Sequence, residues 1–86
     1  MNINKLIEII KKKLEIEILI QDLKIEDKSF LHKKHKGHQE GKFHIKLIIK
    51  SDELTKSSRL VSTKRIYSIL DLELKEYIHS IQILLN

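Results

Sequence analysis

The 86-residue chain is short enough to form one domain around one small core, and it leaves little room for an enzyme cleft. Cysteine is absent, which excludes a disulfide framework, a thiolate nucleophile and any all-thiolate metal site built from this chain alone. The formal net charge of +5 invites a phosphate-binding reading, but Lys and Ile abound throughout while Pro and Trp are missing, so the charge reflects a residue bias spread along the chain.

Met1 to Leu14 interleaves Lys and Glu with Ile and Leu, unlike the unbroken apolar core of a secretory signal. No later stretch has the length and apolarity of a bilayer span, and the expected location is the cytosol. Within residues 3–18, Ile3, Leu6, Ile7, Ile10, Leu14 and Ile18 recur at steps of three and four, the spacing of one helical stripe. Asn2 or Asn4 can cap this helix by accepting from the exposed N–H groups of its first turn. The alternation Glu15-Ile16-Glu17-Ile18 is equally compatible with the start of a strand. Leu23-Lys24-Ile25-Glu26 alternates with period two and predicts a short strand that stops at Asp27-Lys28-Ser29.

Residues 28–42 hold both glycines, Gly37 and Gly41, together with His32, His35 and His38 and several lysines, and have little apolar character beyond Phe30 and Leu31. This composition predicts a solvated loop. Phe43, Ile45, Leu47 and Ile49 then alternate with His44, Lys46, Ile48 and Lys50, predicting a second strand with the first set toward the core and His44 exposed to solvent. Ser51 to Thr55 breaks the strand, and Ser57 or Ser58 offers an N-cap. Leu60, Thr63, Tyr67, Leu70 and Leu74 step as one helical stripe widened by Ile66 and Ile69, with a bend at Asp71 into a short helix ending near Tyr77. In the last segment His79, Ile81, Ile83 and Leu85 share one parity, and Ile78, Ser80, Gln82 and Leu84 the other. The expected order is α-β-β-α-α-β over a single domain spanning residues 1–86, an α+β, two-layer arrangement of helices on a three-stranded sheet.

These residues resemble the BolA family. Asp27-Lys28-Ser29 with His32, His35 and Gly37 is similar to that family's Asp-x-Ser-x-x-His-x-x-His-x-Gly loop. The strand from His44 to Lys50-Ser51 resembles its His-Phe-x-Val strand closing in Val-Ser. Arg65-Ile66-Tyr67-Ser68-Ile69-Leu70 is similar to its Val-Tyr-x-x-Leu helix end, and Ile78-His79-Ser80-Ile81 to its Ile-His-Ala-Leu strand. The sequence departs where the family writes Arg-His-Arg, since Ser62, Thr63 and Lys64 stand there, and Lys56 replaces the glycine usual before that helix.

The resemblance implies a type II KH-like fold with a mixed sheet, and a heterodimer with a monothiol glutaredoxin bridged by a [2Fe-2S] cluster. It implies that His79 and a loop histidine matching His32 bind one iron, while the glutaredoxin cysteine and glutathione serve the other. His35 has the same reach and is the alternative to His32. Alone, the protein would carry no cofactor and would be a monomer. The chemistry is compatible: placing two neutral imidazoles on one iron reduces the anionic charge around the cluster and raises its potential, and a cysteine-free chain can supply only that half. Because a ligating imidazole must be neutral, retention should weaken as pH falls through the ordinary histidine range.

A second reading is a KH-like nucleic-acid-binding transcriptional regulator contacting DNA phosphates through Arg59, Lys64 and Arg65. Against it, KH domains clamp the backbone with a Gly-x-x-Gly loop, and Phe30, Phe43, Tyr67 and Tyr77 do not interleave with basic residues as a stacking platform would. An enzyme would need convergent acid and base groups, and the Asp and Glu residues fall on predicted helix faces and turns.

Overall fold

The computed structural model describes residues 1–29 and 42–86. Helix α1 runs Ile3–Glu17, started by Asn2, whose Oδ1 accepts from the Lys5 N–H at 2.8 Å. Leu6, Ile10 and Leu14 recur every fourth residue on its buried face, and Ile18, just past the helix end in extended conformation, joins them in the core. The helical stripe therefore wins over the local alternation at residues 15–18.

Strand β1 (Asp22–Asp27) pairs antiparallel with β2 (Phe43–Lys50), and β2 pairs parallel with β3 (Ile78–Leu85). The sheet is mixed, in the order β1-β2-β3. A parallel pair needs a long crossover, here supplied by α2 (Asp52–Thr55), α3 (Arg59–Ile69) and α4 (Asp71–Glu76). The single-turn α2 replaces the simple break expected after β2. Ser51 both caps it, accepting from the Leu54 N–H at 3.2 Å, and ties it to the segment after α1 by donating its hydroxyl to the Leu19 carbonyl at 2.8 Å. Ser58 caps α3, with Oγ accepting from the Val61 N–H at 3.2 Å.

The buried face of α3 differs from the expected stripe. Ser62 and Ile66 are buried on it and Leu70 at its end, whereas Leu60 and Tyr67 are exposed. The cause is a close approach of α2 and α3, where the Ser62 hydroxyl donates to the Leu54 carbonyl at 2.6 Å; a larger side chain would hold the helices apart. Ile45, Leu47 and Ile49 of β2 form the middle of the core with Leu6, Ile10 and Leu14 on one side of the sheet, and Leu23 and Ile25 of β1 pack at its margin. Helices thus cover one face of the sheet.

Two ionic ties hold the helices. The Lys13 ammonium lies 2.7 and 2.9 Å from the two carboxylate oxygens of Glu73, joining α1 to α4, and Glu73 is only 2% exposed. Arg65 joins three elements: Nη1 meets Glu53 Oε2 at 2.6 Å, and Nη2 donates to the Glu17 carbonyl at 2.7 Å.

Candidate metal centre

The start of β3 is irregular, and the irregularity positions the site. Phe43 pairs with Ile78, but the next residue, His44, pairs with Ser80, so His79 is an extra residue in β3. An extra residue re-aims the side chains around it. Ile78 is buried although it shares its parity with the exposed Ser80 and Gln82, and His79 is exposed although it shares its parity with Ile81, Ile83 and Leu85. The bulge interrupts the unbroken period of two that parity presumes.

His44 is the larger correction. Expected in solvent, it is 5% exposed. Its backbone N–H donates to Ser29 Oγ at 3.0 Å, and its carbonyl accepts from the Lys28 N–H at 2.7 Å. Ser29 is set in turn by Asp27, whose Oδ1 accepts from the Ser29 N–H at 2.9 Å. The Asp27-Lys28-Ser29 segment thus has a visible structural role: it fastens the end of β1 onto His44. On the ring, His44 Nδ1 lies 2.6 Å from Ser80 Oγ. His44 Nε2 lies 3.3 Å from His79 Nδ1, with ring centroids 4.8 Å apart and the planes edge-on at 68°. A usable signal was present in the sequence, since Phe43-His44 and Ile78-His79 each place an apolar residue and then a histidine at a strand start, but only the parallel pairing makes the two neighbours.

His32, and its alternative His35, lie outside the described residues, as do His38, Gly37 and Gly41. The two ends of that segment are fixed beside the histidine pair. Ser29 bonds His44, and Lys42 precedes Phe43, whose N–H donates to the Tyr77 carbonyl at 2.9 Å, two residues before His79. His32 is the third residue after Ser29, so the chain between them can span at most roughly 10 Å. Among the described residues, no group of three or more His, Cys, Asp or Glu side chains converges as a metal cage.

A family model for BolA-like proteins matches residues 12–86. The chain belongs to the BolA family. Solved BolA structures share its fold: the BolA domain of SufE1 from Arabidopsis thaliana superposes with a TM-score of 0.74 at 34% identity, covering 90% of this chain and 85% of that one. BolA1 from the same plant gives 0.73 at 25% identity over the same shares of both chains. For mouse BolA1 the values are 0.71 and 21%, covering 90% of this chain and 60% of that one, a likeness of fold alone. No curated protein matches the sequence.

In this BolA domain two of the three cationic candidates for phosphate contact are engaged within the fold. Arg59 Nη2 donates to the Ile83 carbonyl at 3.2 Å, and Arg65 is held by Glu53 and Glu17. Lys64 alone of the three has no hydrogen-bond or ionic partner among the described residues. Nor is any described helix long and apolar enough to cross a membrane.

Proposed function

We propose that this BolA-family protein is a non-enzymatic, cytosolic adaptor that pairs with a monothiol glutaredoxin and co-ligates a [2Fe-2S] cluster, for cluster trafficking or iron and redox regulation. The observation that carries the reading is the exposed imidazole of His79, set at the bulged start of β3 with both fixed ends of the segment bearing His32 beside it. The family membership supplies the class of partner.

The donor set fits the group. The chain has no thiolate, so it would offer imidazoles to one iron, as histidine does in mixed His/Cys [2Fe-2S] centres, and a sulfur-bearing partner would serve the other. His79 holds one position from a strand, where the backbone is paired and the ring has a packed neighbour. His32, or His35 in its place, holds the second position from the segment after Ser29. The glutaredoxin cysteine and glutathione serve the other iron. Bound there, the cluster supplies electron storage and a transferable iron-sulfur unit. This chain's part is to bind, to orient the imidazoles and to cap one side of the site.

Mixing the protein with a monothiol glutaredoxin, glutathione, ferrous iron and sulfide is expected to give a heterodimer whose visible spectrum differs from that of the glutaredoxin alone with its cluster. His79→Ala should abolish the difference, and of His32→Ala and His35→Ala the first should do so. A spectrum unchanged by His79→Ala would refute the assignment.

A further inference from the structure

The chain Ser80–His44–His79 has a polarity that decides which nitrogen of His79 can accept a metal, and this inference rests on the proposed function of that residue. With both rings neutral, two proton arrangements fit the 2.6 and 3.3 Å contacts. In the first, the Ser80 hydroxyl donates to His44 Nδ1, His44 Nε2–H donates to His79 Nδ1, and the proton of neutral His79 stays on Nε2. In the second, His44 Nδ1–H donates to Ser80 Oγ, and His44 Nε2 accepts from His79 Nδ1–H. Only the second leaves the lone pair of His79 Nε2 available. A serine hydroxyl turns between the two roles at no cost in geometry, because it carries one donor and two lone pairs.

Burial separates the parts played by the two rings. His79 is exposed and His44 only 5% exposed, so an approaching partner can meet the first ring and not the second. The residue behind a ligating histidine ordinarily takes the proton of its other nitrogen, which fixes ring orientation and raises ligand basicity. His44 stands in that place, held through its own backbone by Ser29 and at its far nitrogen by Ser80. The geometry points to His44 as a positioning residue that, braced by Ser80, accepts the Nδ1 proton of His79 and so presents His79 Nε2 outward as the metal-binding atom. The bulge is what permits this. It inserts His79 beside His44 while leaving Ser80 as His44's register partner, so one ring is touched from both sides by consecutive residues of β3.

Long-range proton–nitrogen NMR spectra of the free, full-length protein read this directly, at a pH high enough for imidazoles to be neutral. The expected result is a protonated Nδ1 and an unprotonated Nε2 on His79, with His44 in the same sense. This is the reverse of the form that an unconstrained neutral histidine prefers. His44→Leu should return His79 to the Nε2–H form, and His44→Gln, whose side-chain carbonyl can accept the same proton, should restore Nδ1–H. Ser80→Ala, a milder change that keeps both rings, should shift the balance toward Nε2–H and keeps the test open if His44→Leu does not fold. In the glutaredoxin complex, His44→Leu should weaken cluster retention by about 10- to 100-fold, as loss of an outer partner does at other metal sites, and His44→Gln should recover most of it. A wild-type His79 protonated at Nε2, or a tautomer indifferent to His44→Leu, would overturn the inference. These spectra are taken without glutaredoxin, so they stand apart from the His79→Ala experiment: a failed complex refutes the adaptor, and a wrong tautomer refutes the positioning role.

Discussion

Glu73 shows how much one side chain can carry. Its carboxylate is almost completely enclosed, and Lys13 is the cation that compensates it. Lys13→Ala should leave a buried charge without its partner and cost about 1–2 kcal/mol, toward the low end for such losses because the lysine itself is partly solvated. In a domain this small each kcal/mol lowers the melting temperature by roughly 4–8 °C, which a calorimetric scan resolves. Replacing both partners together, Lys13→Met with Glu73→Leu, should recover much of the loss, since removing a buried pair costs less than breaking one. Neither partner was distinguishable in the sequence: Lys13 is one of three consecutive lysines, and Glu73 one acidic residue among several near it. The site histidines divide in the same way. His79 was legible from its strand start and its surrounding motif. His44 was not, because the bonds that fix it run to Ser29 and Ser80, residues distant in sequence that only the folded sheet brings to it.

At the level of elements, the periodic signals of α1, β1 and β2 were sufficient, and that of α3 was not. Apolar residues occur almost all the way round α3, so the stripe counted through Leu60 and Tyr67 is one choice among several, and the residue that marks the true inner face with Ile66 is a serine. Ile66→Ala should therefore cost about 2–5 kcal/mol as a core truncation, while Leu60→Ser should fall within about 0.5 kcal/mol of wild type. Urea titrations check both values, and the Leu60 variant separates the observed face from the one expected by stripe counting, since Ile66 belongs to both. The same helix carries a pH-dependent tie. The Arg65 guanidinium bonded to Glu53, helped by the Leu19 N–H, holds the Glu53 carboxyl below its usual value. A carboxyl depressed on folding contributes stability that is fully present above its unfolded value and is lost as pH falls through the folded one. Melting temperature should thus decline less between neutral and strongly acidic pH in Glu53→Gln than in the wild type. An unchanged acid profile in that variant would remove the tie from the account.

For the whole molecule, the order of strands followed from patterning and the mixed sheet from the family resemblance, but two things followed from neither. The single-turn α2 depends on a serine cap and a tertiary bond from Ser51 to Leu19. The bulge depends on the register of two strands joined in parallel across three helices. No local signal reports such a register, and the candidate centre depends on it.

The parallel seam also determines when the two histidine rings can come together. β1 and β2 are joined by one connection and can pair early, whereas β3 must wait for the whole crossover to be in place, since distant pairings carry the larger loop-closure cost. Until that strand docks, His44 lacks the contacts that β3 brings to it, from Ser80 and His79. In a partly assembled or locally opened chain the two rings are therefore not held together. On the proposed function, iron would be met by the paired rings only in molecules whose final strand has docked.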